Sequence, residues 1–256
     1  MFGNHFYHQR IRTAVSMFGS MFNDIYVLRK ASSGQVLSQV KVPLTYATRD
    51  KFIVRIRENP DLTKDQRVAL KLPRISFEIT GIAYDPQRQL QKTANFNKVG
   101  ATTNTRNKFK APVPYTISFQ LNTYTKTQDD GLQIIEQIIP YFAPQYSLTI
   151  KPFSDHPSIK EDVPVALTGV AMNDDYEGSL DTRRTIIYTL DFQMRVNFYG
   201  PISDSSIIRK SIAKLDINNK DISDSDTLAM TITPTPTGVG PDSDYGFLTT
   251  YDYENE

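Results

Sequence analysis

The sequence predicts an α+β fold: a mostly antiparallel, twisted sheet packed by about three helices, with a long basic loop and an extended acidic C-terminal tail. Three observations carry that expectation. Long stretches alternate apolar and polar residues with a period of two, as a strand with one buried face does. Shorter stretches repeat their apolar residues at intervals of three and four, the period of a helix packed on one side. Hydrophobic residues make up 39% of the 256 residues and charged residues 22%, which allows a sizeable core and excludes wholesale disorder.

The first element reads as a helix. Ile11, Ala14, Val15, Phe18, Phe22 and Ile25 fall on one stripe of a 3.6-residue period, with Arg10 and Arg12 beside it. Gly19 costs the middle of that helix about 1 kcal/mol relative to alanine, which predicts a bend or a break. Strands follow. Val36, Val40, Val42 and Leu44 share one face, and Pro43, with no N–H, implies an edge or a bulge. Phe52, Val54 and Ile56 alternate with Arg55 and Arg57 and read as a strand. Ile75, Phe77 and Ile79 alternate with Ser76, Glu78 and Thr80, after which Gly81 permits a bulge. Tyr115, Ile117, Phe119 and Leu121 alternate with polar residues. The longest run is Ile186, Tyr188, Leu190, Phe192, Met194, Val196 and Phe198, opposite a mostly polar face of Thr189, Asp191, Gln193, Arg195 and Asn197. Such alternation is the antiparallel habit.

Two more helices are expected. Asp129 and Asp130 cap the first, because carboxylates accept orphan N–H groups at the positive end of the dipole. Leu132, Ile134, Ile135, Ile138 and Ile139 supply its apolar residues, and Pro140 and Pro144 stop it. The second is expected from Ser203 or Asp204 to about Leu215, with Ile207, Ile208, Ile212 and Leu215 facing inward.

Residues 1–215 are thus expected to form one core domain, interrupted by a loop over 85–112. That loop holds Arg88, Lys92, Lys98, Arg106, Lys108 and Lys110 against one acid, Asp85. Loops of such length inside a domain are functional or disordered. Residues 216–256 read as a tail, with nine acidic residues against Lys220 and a net charge of −8. The body before it carries +9, so the overall +1 hides a strong asymmetry. Thr233–Pro241 reads as an extended linker. Tyr245, Phe247, Tyr251 and Tyr253 then return, more aromatics than a spacer needs, which suggests a tail ordered by a partner.

Catalytic constellations are thin. Cysteine is absent, which removes thiol chemistry, disulfides and zinc-thiolate sites. His5 and His8 lie three residues apart, but no nearby acid completes a metal site with them, and His156 stands apart. No Gly-x-Ser-x-Gly elbow, phosphate loop or dinucleotide fingerprint occurs. Asp174 and Asp175 read as a turn between strands, and Asp221, Asp224 and Asp226 lack the glycine and terminal glutamate of a calcium loop. No metal, cofactor or catalytic residue is therefore expected. No apolar run reaches the roughly 20 residues of a membrane helix, and the N-terminus lacks the layout of a signal peptide, so no membrane partner is expected. The basic loop has charge for phosphate contacts but only Phe96 and Phe109 for stacking, which leaves a non-sequence-specific nucleic-acid-binding module as the alternative reading. A carboxylate-dependent hydrolase centred on Asp174 is a third.

Several stretches together are similar to the tail sheath stabiliser and completion proteins, or tail terminators, of T-even-type contractile-tailed bacteriophages. They are Met1-Phe2-Gly3 leading into Phe6–Arg29, Val42–Thr48 ahead of Phe52, Leu72–Ile75 with Tyr84, Gln133–Phe142 within Asp129–Pro144, and Arg183-Arg184. Their order matches from Met1 to about Pro201, whereas the segment after Leu215 shows no detailed similarity. The resemblance implies a non-enzymatic virion protein: a homo-hexameric ring at the head-proximal end of the tail, in the neck region. Implied partners are the tail sheath protein, the tail tube terminator and the neck or head-completion proteins, with genomic DNA passing through the ring. On this reading Arg88, Lys92, Lys98, Arg106, Lys108, Lys110, Arg10 and Arg12 are the expected inter-subunit or partner contacts.

Overall fold

The computed structural model describes residues 5–30, 35–58, 72–100, 105–153, 155–175, 185–216, 227–240 and 243–254. In chain order the elements are helix α1 (Arg10–Met21), strands β1 (Tyr26–Lys30), β2 (Val36–Lys41) and β3 (Leu44–Tyr46), and helix α2 (Arg49–Glu58). Next come β4 (Arg74–Tyr84), β5 (Asn95–Val99), β6 (Thr105–Lys110), β7 (Val113–Thr125) and helix α3 (Gln128–Ile138). The remaining strands are β8 (Gln145–Ile150), β9 (Glu161–Asp175), β10 (Thr185–Phe198), β11 (Ser203–Ser206), β12 (Ser211–Asp216), β13 (Thr227–Thr235) and β14 (Gly246–Glu254). The molecule is mostly β, with three α-helices among the described residues. It divides into two compact units: a larger one of residues 7–89 and 113–198, and a smaller one built chiefly from 90–112 and 199–256.

The frame of the larger unit is a six-stranded sheet in the order β3-β4-β7-β10-β9-β8. Each neighbouring pair is antiparallel except β3 with β4. The runs with the cleanest alternation, on β7 and β10, are its centre, paired from Ile186 opposite Thr125 to Phe198 opposite Val113. Between Ile79 and Gly81 the register shifts, as the glycine implied. β2 and β3 are separate strands divided at Val42 and Pro43.

Helix α1 packs an aromatic core onto this sheet. Phe18 is fully buried and stacks on Phe119 at 4.3 Å between ring centroids, with Phe22, Phe77 and Phe192 between 5.0 and 5.4 Å. Gly19 does not break the helix, which continues to Met21. A Cβ there would stand 2.9 Å from Phe77 Cζ, so the glycine lets the helix approach the sheet, and packing overrides propensity.

Helix α3 buries Ile134, Ile135 and Ile138, while Leu132 and Ile139 are exposed. Its N-cap is Thr127 rather than Asp129 or Asp130, which lie in the first turn; the Thr127 hydroxyl accepts the Asp130 N–H at 3.4 Å. Asp130 is buried and pairs with Arg29. A 3-10 turn, Ile139–Tyr141, contains Pro140 and ends the helix. Gly131 has no room for a side chain, since a Cβ would meet Tyr188 Cε2 at 2.6 Å, and Tyr188 is buried. Gly131→Ala is therefore expected to cost about 1–3 kcal/mol, seen as a lower midpoint of urea unfolding.

Further sequence expectations differ from the structure. Phe52, Val54 and Ile56 lie on helix α2, because Phe52 packs with Tyr124 and Ile187 in a satellite cluster and the Glu78 carboxylate accepts the Arg49 N–H at 3.0 Å. The expected helix from Ser203 to Leu215 is two strands, β11 and β12, whose backbones pair with β6 and β13. Within 85–112 the chain makes a 3-10 turn at Pro86–Arg88 and the hairpin β5-β6. After Thr227 the chain returns to a sheet, through β13 and β14. The first half of β10 also departs from simple alternation, with Thr185 to Leu190 buried on both faces.

Candidate interaction surfaces

The smaller unit carries most of the expected contact residues. Its first sheet has the order β11-β6-β5. Phe96 and Phe109 stand directly opposite each other and stack at 4.8 Å, a cross-strand pair that fixes the register of the hairpin. Side chains alternate across a strand, so Arg106, Lys108 and Lys110 share the other face. Their neighbours there are Asn95, Asn97 and Val99 on β5 and Ser203 and Ser205 on β11. The face thus presents cations, amides and hydroxyls with no acid among the described residues. Lys92, Lys98, Lys108 and Lys110 are exposed and have no ion-pair partner among the described residues. Lys98 lies on the opposite face, in register with Asn107 and Asp204.

The second sheet of this unit has the order β12-β13-β14 and two unlike faces. Leu228, Met230 and Ile232 on β13 share one face with Leu215, Phe247 and Tyr251 on the flanking strands. Leu215 is 59% exposed, Phe247 71% and Tyr251 57%, so this apolar face is open to solvent. The opposite face carries threonines, Lys214 and the exposed Asp252. Arg106, Ile207, Arg209, Val239, Tyr245 and Phe247 are among the residues lining a cavity of about 230 Å³ within the unit. Sequence reading took this stretch for a tail because its strands are rich in Thr and Pro. The signal it missed is the alternation Phe247, Thr249, Tyr251 against Leu248, Thr250, Asp252.

Three expected contact residues lie in the larger unit, away from this hairpin in sequence and element. Arg88 is held at the end of β4: its Nε donates to Asp85 at 2.8 Å and its Nη2 to the Tyr115 carbonyl at 3.0 Å. The hydrogen bond from Arg88 holds the Asp85 carboxyl below the usual aspartate range. Arg10 is buried. Its Nη2 donates to Glu161 at 2.5 Å and its Nε to the Asn197 carbonyl at 3.1 Å. Burial pushes the Glu161 carboxyl up, and Arg10 with the Asn197 hydrogen bonds pulls it back only part of the way. Arg12 is exposed on α1.

The two-stranded sheet of β1 and β2 shows a further arrangement. Gln133 and Gln137 of α3 reach its backbone: Gln133 Oε1 accepts the Leu28 N–H at 3.0 Å, and Gln137 Nε2 donates to the Tyr26 carbonyl at 2.8 Å. Asp129 orients Gln133, accepting from its Nε2 at 2.7 Å.

Among the described residues no cluster of His, Asp and Glu has the composition to hold a metal ion, and no helix is long and apolar enough to cross a membrane. His8 stands edge-on to Phe153 at 5.3 Å. Asp174 and Asp175 belong to strand β9 rather than to a turn. Asp221, Asp224 and Asp226 lie outside the described residues.

Comparison with known proteins adds two findings. The family model of T4-like virus Myoviridae tail sheath stabilisers matches residues 5–256. Tail completion protein gp15 of Enterobacteria phage T4 is 28% identical over 232 residues, 88% of this chain and 84% of that protein. The match extends past Leu215, where sequence reading saw no similarity.

Proposed function

The chain belongs to the family of T4-like Myoviridae tail sheath stabilisers, and from that membership we propose that it closes into a homo-hexameric ring on the head-proximal end of a contractile tail. It is a structural tail protein of the virion, in a family that is not an enzyme class. The family match over nearly the whole chain carries the proposal. In this reading the ring stops growth of tube and sheath, holds the sheath extended, and offers the neck a surface for joining the filled head. Its neighbours are further copies of itself, the tail sheath protein, the tail tube terminator and the neck or head-completion proteins, with genomic DNA passing through the ring. A ring is what a head-to-tail contact produces when its rotation closes. The smaller unit supplies surfaces suited to such contacts, one cationic and one apolar. The open edges of β3 and β8 could take a neighbour's strand.

The test is addition of the purified protein to uncapped tails followed by electron microscopy. The expected result is six-fold density at one end and sheaths that remain extended under conditions that otherwise contract them. Protein that neither self-associates nor binds tails would overturn the reading. A non-sequence-specific nucleic-acid-binding module is favoured by one observation, the exposed Lys108 and Lys110 beside the amides of Asn95 and Asn97. That reading requires binding of random DNA by the isolated protein that weakens steeply with salt.

A further inference from the structure

We infer that the cationic face of the β5-β6 hairpin docks on strand β14 of a neighbouring copy, so that the smaller unit supplies both halves of a head-to-tail contact. The inference rests on the ring reading and names the surfaces that close the ring.

Charge complementarity carries the argument. Lys108 and Lys110 sit two positions apart on β6, and Asp252 and Glu254 sit two positions apart on β14. A strand advances about 3.3 Å per residue, so the two pairs have the same repeat of about 6.6 Å. Among the described residues neither lysine nor Asp252 has an ion-pair partner, and all three are exposed. The ion pairs of the larger unit, by contrast, are made within it: Arg10 with Glu161, Arg29 with Asp130, Lys41 with Asp24 and Arg88 with Asp85. β14 is an edge strand, reachable from outside, and Leu248, 53% exposed on the same face as the acidic pair, supplies apolar area for the same contact. The segment 216–256 carries −8 in all, so it attracts a basic surface from a distance and repels another copy of itself. That sign pattern favours cation on acid between successive copies over a symmetric contact of like with like.

Two charge-reversed proteins test this. K108E/K110E makes the hairpin negative, and D252K/E254K makes β14 positive. The wild type, alone or on uncapped tails, defines the assembly format, and circular dichroism checks that each variant is folded. Each variant alone is expected to lose assembly at least about tenfold, because like charges then meet. Mixing the two is expected to restore rings, since the negative hairpin of one meets the positive strand of the other. Native mass spectrometry should then find equal numbers of the two variants in each ring. Wild-type-like assembly by either variant alone would overturn the inference. So would a mixture that fails while a chain carrying all four substitutions assembles, because the contact would then lie within one molecule. Intact rings together with lost DNA binding in K108E/K110E would overturn it too and assign the face to nucleic acid. A wild type that assembles in neither format would instead sink the ring reading itself.

Discussion

Replacing Phe18 by alanine is expected to destabilise the protein by about 3–5 kcal/mol. Phe18 is fully buried and lies at the centre of the aromatic core, in contact with Phe22 at the C-cap of its helix and with Phe77, Phe119 and Phe192 on three strands. Truncation removes the ring's apolar burial and its stacking on Phe119. It also leaves a void that the four surrounding rings cannot close, because each is itself held by the sheet or the helix. Such a loss is a large share of the roughly 5–15 kcal/mol that holds a domain folded. Urea unfolding of the purified variants is the measurement. Tyr141, 69% exposed on the 3-10 turn after α3, is the control, and Tyr141→Ala should change stability by less than about 0.5 kcal/mol. A Phe18→Ala protein within 1 kcal/mol or so of wild type would contradict the packing described.

Arg10→Met is expected to have a comparable cost, about 3–5 kcal/mol at slightly alkaline pH, because it strands the Glu161 carboxylate without its cation. The effect should depend on pH, with a definite sign. The Glu161 carboxyl is already raised by burial while Arg10 is present. Without the guanidinium it rises further. A carboxyl whose pKa is higher folded than unfolded holds its proton more tightly in the folded state, so stability falls as pH rises from the unfolded value through the folded one. The variant should therefore lose least near the ordinary glutamate range, where Glu161 is protonated, and most above its raised value. Unfolding free energies measured at two pH values spanning that window decide it. The doubly apolar Arg10→Met/Glu161→Leu protein should recover most of the loss and the pH dependence together. A cost independent of pH would mean that Glu161 is not the group left exposed to the change.

The parts of the fold legible in the sequence are those where one face is buried and the other is wet. The stretch of β7 from Ile117 to Leu121 and the second half of β10 have that environment, and their alternation is clean. Alternation misled at Phe52, Val54 and Ile56, because three positions are too few to separate a strand from a helix held by one buried aromatic. Ser203 and Asp204 look like an N-cap ahead of isoleucines, yet long-range pairing with β6 and β13 decides for strands, and no local pattern announces a distant partner. The same limit applies to the candidate surfaces. Composition shows that residues 85–112 are basic, but only the register of β5, β6 and β11 shows which cations share a face. Arg10 reads as a surface cation beside a helix, and its burial depends on Glu161, 151 positions away.

The glutamines of α3 that hold β1 have a bearing on which strands the β1-β2 sheet can accept. A sheet edge with vacant donors and acceptors is a template, and in a crowded assembly site it recruits whatever extended chain arrives first. Gln133 and Gln137 occupy that template from within, so the β1 side of the β1-β2 hairpin is closed to foreign strands, while no strand among the described residues pairs with its β2 side. The hairpin therefore has a direction: it can be extended on one side and not on the other.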